Sequence, residues 1–165
     1  MSEDAFNGAM AGFAFFGGLF NQVAEDIGED KALKFLEKMS KTIGTMQGTI
    51  IKGQVRRDKI KDVTPSVANT LIGDLLTAIG METETVDTTS EKVHLKLKRC
   101  PVYEAGRLLG LDTKKICQHS TVPFMDTILK KINRNLSYEL ERYRTGSDDC
   151  CEESITLKKE ILIEK

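Results

Sequence analysis

The stretch 91-EKVHLKLKRCPVYEAGRLLG-110 changes its period in the middle. Up to Arg99 it alternates, with Val93, Leu95 and Leu97 on one side and His94, Lys96 and Lys98 on the other. That is the period of a strand with one apolar face. Pro101 then opens a short helix to Leu109, with Cys100 as its cap and Gly110 as its stop. A one-faced strand running directly into a helix calls for an antiparallel sheet with helices on its apolar face.

The flanking segments repeat the theme. Upstream, 81-METETVDTT-89 reads as a strand that forms a hairpin with 91–99. Downstream, Asp112 caps a helix that Pro123 interrupts. A proline inside a helix clashes with the carbonyl four residues back and pushes the preceding residue, Val122, out of the helical region. Cys117-Gln118-His119 are therefore expected at the end of one short helix, and Phe124, Met125, Ile128, Leu129 and Ile132 on another. Then 135-NLSYELERYR-144 and 151-CEESITLKKEI-161 alternate as strands around the turn 145-TGSDD-149. Cys151 shares the parity of Ile155 and Leu157 and is expected to point inward; Cys150 is expected to point outward.

The N-terminal half has helical period throughout. Phe6, Ala9, Phe13, Phe16, Phe20, Val23 and Ile27 define one face. Ala32, Leu36, Met39, Ile43, Met46 and Ile50 define a second, and the short break 28-GED-30 implies an antiparallel pair. Residues 52–63 look basic and irregular. Thr64 and Pro65 then start a third helix, with Val67, Ala68, Leu71, Ile72, Leu75, Leu76 and Ile79 as its buried stripe. Gly8 and Gly12, like Gly44 and Gly48, stand four apart. Such spacing marks close helix approach, either inside the chain or across a homodimer built on the N-terminal helices.

The expected fold class is α+β: an N-terminal helical hairpin plus a third helix, then a four-stranded antiparallel sheet (ββ-αα-ββ) with helices packed on one face. The 165 residues suit a single domain, 1–165, with a helical part over 1–80 and a sheet-containing part over 81–165. With 40% hydrophobic and 30% charged residues, the composition is that of a globular core with a solvated surface. A net charge of −1, no tryptophan and only three tyrosines argue against direct nucleic-acid binding. The apolar run near the N-terminus follows acidic residues and is interrupted by glycines, so it reads as neither a secretory signal nor a membrane span. A cytoplasmic location is expected, where four cysteines serve as thiols or metal ligands rather than disulfides.

All four cysteines fall at element boundaries. One reading is a metal site, with Cys100, Cys117 and Cys151 as thiolates and His119 as the fourth ligand, a set that suits zinc. The spacing matches no paired CxxC pattern, and the plain alternative is that Cys117 and Cys151 are small buried hydrophobes. A second reading is thiol catalysis by Cys100 or Cys117. A helix N-terminus lowers a thiol pKa, which favours Cys100. Cys117 and His119 lie about 200° apart on a regular helix and cannot pair within one. Tyr103 and Arg107 share a helix face and are candidates to bind a small carboxylate, with a surface salt bridge as the alternative for Arg107.

The series 100-CPVYEAGRLLG-110, 117-CQHS-120 and 135-NLSYELERYRTGSDDCCEE-153 resembles the L-2-amino-thiazoline-4-carboxylic acid hydrolase-like family. The shared features are a Cys-Pro helix start, a mid-helix cysteine and a glycine turn before a cysteine on the last strand, over about residues 91–161. The family is similar to the 4-vinyl reductase domain, a ligand-binding module, and its wider fold recurs in haem-based nitric-oxide sensors and vesicle-tethering subunits. The resemblance implies a small-molecule-binding or sensory domain with a cysteine-rich zinc site, or a hydrolase that opens a small amino-thiazoline-like ring. A dimeric scaffold or adaptor subunit is a further alternative. The Glu-x-x-Cys step of the vinyl-reductase zinc site is absent, because Glu152 and Glu153 follow the cysteines.

Overall fold

A computed structural model of the chain describes residues 3–158. In chain order the elements are α1 (Glu3–Ile27), α2 (Glu29–Arg57), α3 (Pro65–Ala78), β1 (Glu82–Thr88), β2 (Lys92–Arg99), α4 (Pro101–Leu108), α5 (Thr113–His119), α6 (Thr121–Ile132), β3 (Leu136–Arg142) and β4 (Cys151–Leu157). This is the α+β arrangement expected from the sequence. Residues 159–161, expected in the last strand, lie outside the described residues.

The four strands form one antiparallel sheet in the order β1-β2-β4-β3. Two hairpins lie side by side, and the last strand sits between β2 and β3. The register sets Val93 opposite Ile155, Leu95 opposite Glu153 and Leu97 opposite Cys151. Val93, Leu95 and Leu97 are buried against Ala68, Ile72 and Leu76 of α3 and Met125, Ile128 and Leu129 of α6. β1 is exposed along its whole length, and its acidic residues Glu82, Glu84 and Asp87 keep that edge from pairing with another chain.

Local chemistry sets the helix starts. The Thr64 hydroxyl accepts from the Val67 N–H at the head of α3, with Pro65 in the first turn. Asp112 accepts from the Lys115 N–H at the head of α5. Pro123 acts differently from the expectation. The break falls at Ser120, and Thr121 and Val122 are already helical. Pro123 lies in the first turn of α6, where a missing N–H leaves no intrahelical bond unmade. α2 also runs further than expected, through Arg57, because Ile51 and Val55 bury its last turns in the core. Arg56 and Arg57 then complement the negative end of the helix.

The two long helices find their main partners elsewhere than in each other: α1 packs chiefly on α4, and α2 on α6. α2 meets α6 through small residues. A Cβ on Gly44 would stand 2.8 Å from the Phe124 carbonyl oxygen, and one on Gly48 2.7 Å from the Lys131 Cβ. Gly44, Gly48 and Ser40 are buried on that face. Of the apolar stripe read from α2's sequence, Ile43, Met46 and Ile50 therefore face outward instead of into the core, while Ala32 is buried and Leu36 and Met39 are half-buried. Gly80 has φ +74 and presses on the Phe6 backbone at the head of α1, so its place admits no side chain.

Gly44 and Gly18 should respond to alanine with opposite signs. Gly44→Ala gains about 1 kcal/mol in helix propensity but forces α2 off the α6 backbone, an overpacking cost of about 1–3 kcal/mol. Chemical denaturation should show Gly44→Ala no more stable than the parent, or less. Gly18→Ala, with nothing within 4 Å of its new Cβ, should be more stable.

Candidate functional site

The inward face of β4 carries Cys151, Glu153 and Ile155, all buried. Two of these three are not ordinary core residues. Glu153 is 4% exposed, flanked by Leu95 on one side and Leu140 on the other. Burial raises its carboxyl pKa, opposed by a hydrogen bond from the Tyr138 hydroxyl and by the Arg144 charge. The desolvation of Tyr138 in turn holds its phenol well above the usual range.

Arg144 follows β3 and is 3% exposed. Its Nη2 donates to the carbonyls of Leu97 (2.6 Å) and Lys98 (3.1 Å). The guanidinium, whose pKa the nearby Cys151 thiol helps to raise, lies 4.8 Å from the centroid of the Tyr103 ring. Its buried Nε has no hydrogen-bond partner among the described residues. A β-bulge in β3 brings this segment inward: Leu140 pairs with Glu153, but Arg142, two residues on, pairs with Glu152. Tyr143, which simple alternation would send outward, is half-buried near the thiols, with a hydrogen bond to Thr113 and its ring 6.4 Å from Tyr103.

Three cysteines complete the cluster. Cys100, at the head of α4, is buried, and burial pushes its thiol up to about 11 despite the Tyr103 and Val102 N–H groups and Arg144. The helix N-terminus expected to activate it is thus outweighed by desolvation. Cys117, on α5, is raised further, first by burial and then by Cys100, Glu153 and Cys151. Cys151 lies inward as its parity required, and Cys150 remains at the turn, where the Arg142 Nη2 stands 3.4 Å from its sulfur.

The remaining candidates lie apart. His119 turns to α2, with Nδ1 3.4 Å from Glu37. Arg107 is exposed and pairs with Glu104 at 3.2 Å, while Tyr103 joins the buried cluster. His94 sits on the outer face of the sheet, 3.6 Å from both Glu141 and Glu152. Among the described residues, no three His, Cys, Asp or Glu side chains are placed to hold a metal ion, and His119 is turned to Glu37 of α2.

Sequence reasoning passed over Glu153 and Arg144. Glu153 was open to it, since it has the same strand parity as Cys151 and Ile155. Arg144 shares the parity of Tyr138 and Leu140, but the bulge breaks that count at Arg142, so parity alone does not place it. No helix among the described residues is long and apolar enough to cross a membrane.

The assembled site is a carboxyl, a guanidinium, three phenols and three thiols between the sheet and α4–α5. It sets a carboxyl whose pKa burial raises beside a buried guanidinium. Two shallow surface hollows lie elsewhere, one along α2 beside Lys34 and Lys41, the other at the Gly28 turn.

Comparison with known proteins bears on this arrangement. Among solved structures the chain is similar to a trafficking protein particle complex subunit 3 from Naegleria fowleri, covalently bound to palmitic acid in that crystal. The TM-score is 0.55 at 14% identity, over 92% of this chain and 96% of that one, a likeness of fold alone. No curated protein matches. The family profile for L-2-amino-thiazoline-4-carboxylic acid hydrolase matches residues 9–153 and so takes in the N-terminal helices as well as the cysteine-bearing half. The chain belongs to the L-2-amino-thiazoline-4-carboxylic acid hydrolase family.

Proposed function

We propose that the chain is a hydrolase that opens a small cyclic amidine bearing a carboxylate, with the Glu153–Arg144 cluster as its active site. The observation that carries this reading is the pair itself: two ionisable side chains buried among apolar residues at one end of the sheet. Such groups are costly to desolvate and concentrate at functional sites. Membership in the hydrolase family supports the reaction class.

The chemistry follows from the groups. Arg144, with an uncommitted Nε, suits the substrate carboxylate. Water adds to the amidine carbon. The bond from that carbon to the ring nitrogen then breaks, and the nitrogen leaves as an amine after taking a proton. Glu153, whose pKa burial raises, is the donor. Cys100 and Cys117 are held as neutral thiols and line the site; a thiolate nucleophile would first have to overcome their desolvation.

A sensory or carrier domain is the second reading, favoured by how completely the cluster is closed. Ring opening of 2-amino-thiazoline-4-carboxylate, followed by chromatography, separates the two. Turnover that falls at least 100-fold in Glu153→Gln and in Arg144→Lys, with Cys100→Ser retaining most of it, supports the hydrolase. Calorimetric binding without turnover supports the sensor. Loss in Cys100→Ser alone would transfer the chemistry to the thiol.

The raised Glu153 pKa has a consequence for stability. The folded state holds this proton at pH values where the unfolded chain has released it, so Glu153 makes stability fall as pH rises above about 4.5, the ordinary glutamate value. Carboxylates with lowered pKa, such as Asp149 and Glu141, contribute the opposite slope below that value. Denaturation midpoints of Glu153→Gln minus those of the parent should therefore increase from pH 5 to pH 8. A flat difference would mean that Glu153 is ionised in the fold.

Thiol accessibility gives an independent check on the cluster. Cys150 and the half-buried Cys117 should react with a disulfide reagent before Cys100 and Cys151, which should react only on unfolding. Mass mapping of the first modified cysteine reads the order.

A further inference from the structure

We propose that the chain forms a two-fold homodimer in which α1 of each copy lies on α2 of the other. Among the described residues, nine of the eleven exposed large hydrophobic ones belong to these two helices. On α1, Phe16, Leu19, Val23 and Ile27 recur at helical spacing. On α2, Phe35, Ile43, Met46 and Ile50 do the same, with Phe35 61% and Met46 62% exposed. Each set forms a single stripe. On α2 the stripe lies opposite the Ser40–Gly44–Gly48 face that packs on α6, and no described element covers it.

Area and charge identify the occupant. The exposed parts of the nine side chains amount to roughly 900 Å² per copy, far above the scatter of single apolar residues on a monomer and about what one partner contributes to a standard interface. α1 holds four acidic residues and no basic one. α2 holds seven basic residues against three acidic ones. Two copies of α1 facing each other would set acid against acid, and two copies of α2 base against base. Pairing α1 with the partner's α2 matches opposite charges twice over, once on each side of the axis, as an isologous interface requires. A second copy of this chain is the partner that this pattern fits. Glu3 is already engaged by Arg99, and Glu29 by Lys115. Asp26 beside the α1 stripe, and Lys31 and Lys38 beside the α2 stripe, are the charges nearest the proposed seam.

Sedimentation equilibrium of the full chain at several concentrations tests this. A dimer is expected, with Phe16→Glu/Met46→Glu shifting it to monomer while circular dichroism and the melting transition stay those of a folded protein. Asp26→Lys alone and Lys31→Glu/Lys38→Glu alone should each weaken the dimer about tenfold. Mixing these two variants should restore a heterodimer tighter than either by itself. A monomer at every concentration overturns the proposal, whether or not the protein then co-sediments with anionic phospholipid vesicles. A dimer that survives Phe16→Glu/Met46→Glu overturns the surface. A mixture no tighter than its parts overturns the exchange of helices.

Discussion

The close approach of α2 to α6 governs much of the molecule. Gly44 stands where a Cβ would meet the Phe124 carbonyl oxygen, so the helix backbones meet with almost no side chain between them. α6 lies in turn on the sheet, with Ile128 and Leu129 buried against it. Because the face of α2 toward α6 must be small, its large apolar residues are left on the other side. One steric constraint thus tightens the core and creates the exposed stripe.

The same layering encloses the cluster around Glu153. β4 lies between β2 and β3, and the carboxyl on its inward face is buried. The chain accommodates it with the Tyr138 hydroxyl and the Arg144 charge rather than with an ion pair at the surface. Arg144 is held by two carbonyls at the end of β2, immediately before Cys100 starts α4. The strand-to-helix junction therefore brings guanidinium, carboxyl and thiols together, and desolvation raises the pKa of the carboxyl and of the Cys100 and Cys117 thiols. Thiols held so high are poor nucleophiles, which directs attention to the carboxyl.

Much of this was legible residue by residue. Alternation placed β2 and β4, and the inward turn of Cys151 followed from parity with Ile155. Thr64 and Asp112 capped the helices they were expected to cap. Parity also marked Glu153 as inward, although a glutamate read in isolation suggests a surface. The Ser120 break escaped because proline's effect on a helix depends on whether the preceding turn is helical, which is a matter of packing. Arg107 looked like the anion-binding arginine by its spacing from Tyr103, yet solvent and Glu104 claim it.

The sequence by itself determined the elements, their order and which face of each strand is apolar, because these depend on periods and caps within a few residues. Tertiary structure decided which helix faces are covered, since an apolar stripe is identical in sequence whether it meets a core or a partner. It also decided that Arg144, and not Arg107, joins the thiols, since the carbonyls of Leu97 and Lys98 that hold Arg144 come from a strand far away in sequence.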